Sequence, residues 1–278
     1  MTIEDLINAP GNTHITTDYV NVTIMDGIRD GKEVRFYIGG EALSSAMYLE
    51  PELRYELVFD YTKLYNLFSE FRPEAEEVLM IGGAAYSYPK YFVSHYPGRR
   101  ITVLDIDPMA EVIARRFFAL DELIREYRTE ETGALSLITA DARAYFAETE
   151  KKYDIIMNDA FDSYVPAPGL ATLEAAEAIH AHLAENGLYM TNLLGAYTGK
   201  QGRFLRSEIF TLRVFFRHVY LIPAKPDLPK DQADNYMCIC SDAVLPGLEE
   251  PDLREEAGDM LLTDADAPVE EMAREYYR

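Results

Sequence analysis

The sequence has no long hydrophobic run of the kind that crosses a membrane. A membrane-spanning helix needs about 18 or more largely apolar residues, and no uninterrupted stretch of that kind occurs in the 278 residues. The first residues, Met-Thr-Ile-Glu-Asp-Leu, also lack the basic segment followed by an apolar one that marks a secretory signal. We therefore expect a cytoplasmic protein with no membrane partner.

Cysteine is scarce as well. The two thiols, Cys238 and Cys240, stand one residue apart in the segment Tyr-Met-Cys-Ile-Cys-Ser, and in a strand such residues point to the same face. Two neighbouring thiols make neither a disulfide framework nor a complete zinc site. We interpret them as ordinary core or sheet residues and expect no metal.

Basic residues are few and scattered. Lysine and arginine number 26 against 48 aspartates and glutamates, which gives a formal net charge of −22. A nucleic-acid-binding protein needs clustered basic side chains to displace the counterions of the phosphates, so the composition argues against a nucleic-acid partner. The charge would attract a cationic substrate, although solubility alone is a sufficient explanation for it.

The pattern of the chain divides it into three parts. Residues 1–53 contain alternating strand-like segments and Asp-Gly turns, which predict a small antiparallel sheet. Residues 54–245 open with helical spacing over 55–68 and then alternate strands with helices, which predicts an α/β, Rossmann-like catalytic domain with a mostly parallel sheet and helices on both faces. Residues 246–278 carry eleven acidic residues against three arginines and predict a partly ordered or mobile acidic extension.

A nucleoside site is indicated where the first two strands of this sheet end, because ligands of open parallel sheets bind outside the carboxyl ends of the strands. The first strand ends in Gly82 and Gly83, whose lack of side chains lets a ligand approach the backbone. Asp105 and Asp107 follow the second strand about twenty residues later, where an acid can accept hydrogen bonds from ribose hydroxyls. We assign Asp105 to the ribose and Asp107 to the cap of the next helix. The third glycine of the dinucleotide fingerprint is absent, which argues against an NAD enzyme, and a tight turn without a ligand is the plain alternative.

Three further acids follow later strands. Asp141 comes after the third strand, where it can accept a hydrogen bond from an adenine amino group or merely cap the next helix. Asp159 and Asp162 follow the fourth strand, ahead of a proline-containing loop. Two carboxylates so close together are unfavourable unless a cation lies between them or solvent screens them. The sequence thus predicts a cationic substrate here, with a solvated loop as the alternative.

The order of these motifs resembles spermidine synthase and related polyamine aminopropyltransferases. Ile-Gly-Gly, Asp-Ile-Asp, Ala-Asp-Ala and Tyr-Asp-Ile-Ile-Met-Asn-Asp-Ala-Phe-Asp follow one another after a small N-terminal sheet and Arg-Tyr-Glu-Leu, over about residues 19–242. The resemblance implies a class I methyltransferase-type fold, a homodimer or higher homo-oligomer, and transfer of an aminopropyl group from decarboxylated S-adenosylmethionine to putrescine.

The resemblance also implies roles for individual residues. Asp105 is expected to bind the ribose and Asp141 the adenine of the donor. Asp159 is expected to accept the proton of the attacking amine, Asp162 to help bind that amine, and Tyr55 to lie beside the reacting centre.

Three positions depart from the family pattern. Ala85 stands where the family has an aspartate that holds the donor's amino group, Leu43 where it has a glutamine, and Lys225 where it has a tyrosine. These changes fall on the aminopropyl and diamine sites. A protonated aminopropyl tail without an acid at position 85 loses a charge-assisted hydrogen bond of about 1.5 to 3 kcal/mol, whereas ordinary S-adenosylmethionine, whose tail carries a carboxylate, loses a repulsion.

Three functions follow as hypotheses. The first is transfer of an aminopropyl-type group to a small cationic amine, with Asp159 as the base and Tyr55 assisting it. The second is methyl transfer from ordinary S-adenosylmethionine to an unknown acceptor, which Ala85 motivates. The third is a non-catalytic nucleoside-binding homologue.

Overall fold

The N-terminal part of the chain forms the predicted antiparallel sheet. Its four strands are hydrogen-bonded in chain order; they are β1 (Thr13–Thr16), β2 (Asn21–Arg29), β3 (Lys32–Gly39) and β4 (Ala42–Tyr48). Asp30 and Gly31 join β2 to β3 with φ values of 52° and 78°, the left-handed pair that the tightest hairpin turn requires. The structure, a computed structural model, describes residues 11–277.

Short helical turns stand where the periodicity predicts one helix over 55–68. The chain passes through a 3-10 turn (Pro51–Leu53), α1 (Asp60–Lys63), a second 3-10 turn (Leu64–Leu67) and α2 (Phe68–Phe71). Leu57, Val58 and Phe59 are all buried, Leu57 in the core of the large domain and the other two against the N-terminal sheet. Successive residues that pack into two different cores need an extended backbone, so the helix cannot begin at Tyr55.

The second sheet contains seven strands in the spatial order 12-13-11-8-5-6-7. Beyond the first four, the strands of the chain are β5 (Glu77–Ile81), β6 (Arg100–Asp105), β7 (Leu135–Thr139), β8 (Tyr153–Asn158), the short pair β9 (Phe161–Asp162) and β10 (Val165–Pro166), β11 (Leu183–Gly195), β12 (His218–Pro223) and β13 (Asp234–Ser241). Among the described strands of this sheet, only β13 runs antiparallel to its neighbours, so the prediction of a mostly parallel sheet is confirmed. The order reverses between β5 and β8, which is where ligands bind in such sheets.

Helices cover both faces of this sheet, as predicted. They are α3 (Ser87–His95), α4 (Pro108–Phe117), α5 (Leu120–Glu126), α6 (Thr129–Thr132), α7 (Ala142–Glu148), α8 (Leu173–Ala181), α9 (Arg203–Leu212) and α10 (Val269–Ala273). Leu79 and Ile81 belong to the core that α7 to α10 share, whereas Val78 and Met80 belong to the core of α3 to α5. This division follows from the alternation of side chains along a strand.

The acidic C-terminal segment packs onto the α9 side of the sheet. Leu262, Val269 and Met272 are at most 1% exposed. Asp259 accepts two hydrogen bonds from Arg206, at 2.7 Å from Nε and 2.9 Å from Nη2, and both side chains are almost fully buried. The sequence predicts a partly ordered or mobile extension; in the structure, apolar side chains and a buried ion pair hold this segment against the domain. No helix within residues 11–277 is long and apolar enough to span a membrane.

Candidate active site

A cavity of about 1080 Å³ opens at the carboxyl ends of the parallel strands, where the N-terminal sheet meets the large domain. Turn and strand residues of the N-terminal sheet form one wall, and the loops after β5 to β8 form the other. Six of the seven residues that the sequence assigns to the site line this cavity, and Tyr55 does not. The six are Gly82, Gly83, Asp105, Asp141, Asp159 and Asp162.

The two glycines lie where no side chain fits. Gly82 has a φ of +92°, and a Cβ atom there would stand 2.7 Å from the carbonyl oxygen of Asp159. A Cβ atom on Gly83 would meet the ring of Tyr86 at 2.8 Å and Oδ2 of Asp105 at 3.1 Å. The glycines therefore bring the first loop close to the acids that follow β6 and β8.

Asp105 organises the loop and faces the cavity. Its Oδ2 accepts hydrogen bonds from the backbone amides of Gly83 (2.7 Å) and Ala84 (3.2 Å), and its Oδ1 accepts one from Asp107 (2.9 Å). Burial raises the pKa of Asp105, and these amides oppose the rise. A carboxylate has about four acceptor positions, so about one remains for a hydroxyl of a ligand.

Asp107 is the neighbouring acceptor. Its Oδ1 accepts a hydrogen bond from Met109 and caps α4, as predicted. Its Oδ2 is buried with no hydrogen-bond partner among the described residues, and Asp107 lines the same cavity. Since a buried acceptor without a partner is unfavourable, this oxygen is a second candidate for a ligand hydroxyl.

Three acids of the cavity are exposed, namely Glu41, Asp141 and Asp162. Asp141 caps α7 through a 2.9 Å hydrogen bond to Ala144, so the capping interpretation applies while the residue also faces the cavity. Asp162 lies in β9, which pairs with β10 beside the opening.

Among the acids that line the cavity, Asp159 has the pKa that is raised most. It is partly buried on the cavity wall, and its carboxylate accepts hydrogen bonds from Asn192 Nδ2 (3.0 Å) and the hydroxyl of Tyr61 (3.4 Å). Burial raises its pKa to about 6, although both hydrogen bonds lower it. Asp159 can therefore gain and lose a proton near neutral pH, which suits a general base.

The tyrosine beside this acid is Tyr61 and not Tyr55. The hydroxyl of Tyr55 donates to Glu126 (3.0 Å) in a separate surface pocket, and its ring packs edge-on against Tyr127. Tyr61 stands at the start of α1 and lines the cavity. The assignment of Tyr55 is corrected because the extended segment before α1 carries that residue away from the site. Tyr61 belongs to the same apolar pattern, and nothing in the sequence distinguishes it.

Asn192 is a further residue of the site, which the motifs of the sequence do not include. It is buried in β11, the parallel neighbour of β8, and the pairing of these strands brings its amide to Asp159. An asparagine within an apolar strand is the signal that could have found it.

The three departures from the family pattern differ in placement. Ala85 is fully buried in an apolar cluster with Val22, Ile24 and other residues, and does not line the cavity. Leu43 does line the cavity. Lys225 is exposed, and its Nζ lies 3.4 Å from Oδ1 of Asp234. Because the side chain of Ala85 does not face the cavity, the lack of a carboxylate at position 85 does not remove a charge from the cavity wall.

The charge of the cavity wall is strongly negative. Six carboxylates face the cavity against one arginine, Arg143, and no lysine among the described lining residues. Arg143 is itself paired with Asp264 at 2.9 Å. Such a site attracts cations and repels anions.

Comparisons with known proteins agree on one family. A family model described as the spermine/spermidine synthase domain matches residues 61–218. The chain is 27% identical over 185 residues to a polyamine aminopropyltransferase of Vibrio vulnificus, covering 65% of this chain and 56% of that protein. It is 26% identical over 203 residues to one of Neisseria meningitidis, covering 72% and 71%.

Solved structures show the same fold. A probable spermidine synthase from Corynebacterium glutamicum has a TM-score of 0.69 at 22% identity, over 84% of this chain and 81% of that one. The spermidine synthase from Thermotoga maritima has a TM-score of 0.60 at 15% identity, over 96% and 83%. The chain spans 56% and 59% of the length of two of the curated relatives it matches.

Proposed function

The chain belongs to the spermine/spermidine synthase family, and on this premise we propose that it transfers an aminopropyl-type group from a sulfonium nucleoside to a small cationic amine. The observation that carries the proposal is Asp159, a carboxyl with a pKa of about 6 on the wall of an acidic cavity. The proposed donor is decarboxylated S-adenosylmethionine, which acts as a co-substrate. No metal has a role in this proposal.

The donor's nucleoside would occupy the half of the cavity at β5, β6 and β7. Asp105 and Asp107 offer acceptors for the ribose hydroxyls, one through its remaining acceptor position and the other through its unpartnered Oδ2. Asp141 would accept a hydrogen bond from the adenine amino group. Gly82 and Gly83 line the same part of the cavity and have no side chains, so a nucleoside can approach their backbone.

The transfer itself requires little covalent help from the protein. The lone pair of the amine nitrogen attacks the carbon next to the sulfonium, a C–N bond forms, and the C–S bond breaks with its electron pair moving to sulfur. Methylthioadenosine leaves as a neutral thioether, and the amine proton passes to Asp159. Because the sulfonium is already a good leaving group, the protein chiefly needs to align the amine and keep it unprotonated.

The amine would lie between Asp159 and Asp162. Tyr61 and Asn192 hold the Asp159 carboxylate in one orientation, while Asp162 stands at the opening, where it can bind a second ammonium group of the acceptor. Six carboxylates against one paired arginine support a cationic acceptor and disfavour a nucleic acid.

Product analysis tests the proposal. The protein is incubated with decarboxylated S-adenosylmethionine and a panel of diamines that begins with putrescine, and the products are identified by mass spectrometry. We expect methylthioadenosine and an amine heavier by one aminopropyl group. S-adenosylhomocysteine from ordinary S-adenosylmethionine would instead indicate a methyltransferase, and nucleoside binding without any product would indicate a non-catalytic homologue.

Two expectations from the sequence stay predictions. The family resemblance implies a homodimer or larger homo-oligomer, which sedimentation of the purified protein tests. A cytoplasmic location is tested by fractionation of the source cells.

A further inference from the structure

We propose that Asp264, in the C-terminal segment, is a positioning residue for donor binding, and that it acts through Arg143 on the cavity wall formed by residues 167–170. We call these four residues the loop wall. The inference rests on the proposed function, because it assumes that the nucleoside occupies the part of the cavity at Asp141.

Arg143 connects the loop wall to the start of α7. It lies two residues after Asp141 and lines the cavity together with the loop wall. Its Nη1 donates to the carbonyl oxygen of Gly169 (3.1 Å) and to Oγ1 of Thr172 (3.2 Å). One guanidinium group thus fixes the distance between the loop wall and the helix that carries Asp141.

Asp264 holds that guanidinium in place. Its two oxygens accept hydrogen bonds from Nη1 and Nη2 of Arg143, each at 2.9 Å, and Oδ1 also accepts one from Thr172 (2.6 Å). This bidentate geometry orients a guanidinium more strictly than a single contact does. The hydrogen bonds from Arg143 and Thr172 lower the pKa of Asp264 to about 2, so it stays ionised at every pH at which the protein would be assayed.

Asp264 itself does not line the cavity. An effect of Asp264 on nucleoside affinity must therefore pass through Arg143, Thr172 or the loop wall. Arg143 is the single cation among the described residues that line the cavity, and a fixed orientation also keeps it neutralised by Asp264 rather than free to oppose a sulfonium.

The rest of the C-terminal segment is anchored independently of this pair. Asp259 binds the buried Arg206, Leu262 accepts a hydrogen bond from the amide of Leu173 (2.8 Å), and Met272 is buried in the core that α8 and α9 share. Loss of the Asp264 carboxylate should leave the segment docked and loosen only the loop wall.

The experiment measures the dissociation constant of methylthioadenosine by titration calorimetry for the wild type, Asp264→Asn, Asp264→Glu and the control Asp266→Asn. Asp266 is an exposed acid two residues away, and its removal changes the net charge by the same amount. We expect Asp264→Asn to bind about three- to tenfold more weakly, Asp264→Glu to recover part of the loss, and Asp266→Asn to match the wild type.

Hydrogen exchange separates positioning from general destabilisation. In Asp264→Asn, the amides of residues 167–173 should exchange faster while those of 187–194 in β11 stay unchanged. In turnover assays the KM for the donor should rise while kcat and the KM for the amine stay constant.

The outcomes are distinguishable. If the wild type binds methylthioadenosine and Asp264→Asn binds it equally well, the positioning role is refuted and the proposed function stands. If exchange rises equally throughout the molecule, Asp264 is only structural and the inference is also refuted. If the wild type does not bind the nucleoside, the proposed function fails and this inference with it.

Discussion

Replacing Asp159 by asparagine should make the protein more stable while removing its activity. The carboxylate is ionised at neutral pH in a place that disfavours charge, since its pKa is about 6 against an ordinary value of 3.8. A difference of about two pKa units corresponds to about 3 kcal/mol of destabilisation by the ionised form. Asparagine has the same shape. Its amide oxygen can still accept a hydrogen bond from Asn192, and its amide nitrogen can donate one to the hydroxyl of Tyr61.

The sign of the pH dependence follows from the raised pKa. The folded protein binds the Asp159 proton more tightly than the unfolded chain does, so this group stabilises the wild type as the pH falls below about 6, and the contribution is lost as the pH rises through that value. The free energy of unfolding of Asp159→Asn should therefore exceed that of the wild type by about 3 kcal/mol at pH 7.5. At pH 5 this difference should be smaller by roughly 1.4 kcal/mol.

Urea unfolding followed by circular dichroism measures both values. The control Asp227→Asn removes a carboxylate from an exposed position and should change the free energy of unfolding by less than about 0.5 kcal/mol. An Asp159→Asn protein that is no more stable than the wild type, or whose advantage is the same at pH 5 and pH 7.5, would refute the account of Asp159 as a buried acid with a raised pKa.

Further predictions concern catalysis and the C-terminal segment. Tyr61→Phe removes a hydroxyl that donates to Asp159 and should lower kcat about tenfold, whereas Tyr55→Phe should leave it unchanged in the same turnover assay; the reverse ranking would restore Tyr55 to the site. The wild-type kcat/KM should fall about tenfold per pH unit below about pH 6, because only ionised Asp159 accepts a proton, and a flat profile down to pH 5 would argue for another base. Asp259→Asn removes the buried one of the two carboxylates that pair with Arg206 and should lower the free energy of unfolding in urea by about 3 kcal/mol. A loss under about 1 kcal/mol would mean that the buried ion pair does not hold the segment.

The parallel sheet and the acids at its edge could be predicted from the sequence. Each of its central strands is a short apolar run, and the residues that end these runs, among them Gly82, Asp105, Asp141 and Asp159, lie on the cavity as expected. The physical reason is that carboxyl ends of parallel strands meet at one edge. Strand-end positions therefore depend on local sequence and on a general rule of topology.

The choice between Tyr55 and Tyr61 could not be predicted in the same way. Both lie in a segment with helical spacing, yet the segment packs against two cores and begins its helix only at Asp60. Which tyrosine reaches Asp159 depends on how the two sheets meet. Local periodicity does not contain that information.

The packing of the acidic C-terminal segment also depends on residues far away in the sequence. A run rich in Asp and Glu favours solvent when considered alone, but Arg206 and Arg143 supply cations from helices more than 50 residues earlier. The placement of Ala85 could not be predicted for a related reason. The backbone of the glycine loop directs its side chain into an apolar cluster and not into the cavity.

The identity of the products distinguishes aminopropyl transfer from the alternative functions of this protein. Wild-type protein and Asp159→Asn are each mixed with decarboxylated S-adenosylmethionine and the best acceptor of the diamine panel, and methylthioadenosine is quantified by mass spectrometry over time. We expect equal amounts of methylthioadenosine and aminopropylated amine from the wild type, and a rate lower by about 100-fold or more from Asp159→Asn. Turnover within about threefold of the wild type in the variant, or S-adenosylhomocysteine as the product from ordinary S-adenosylmethionine, would contradict this expectation.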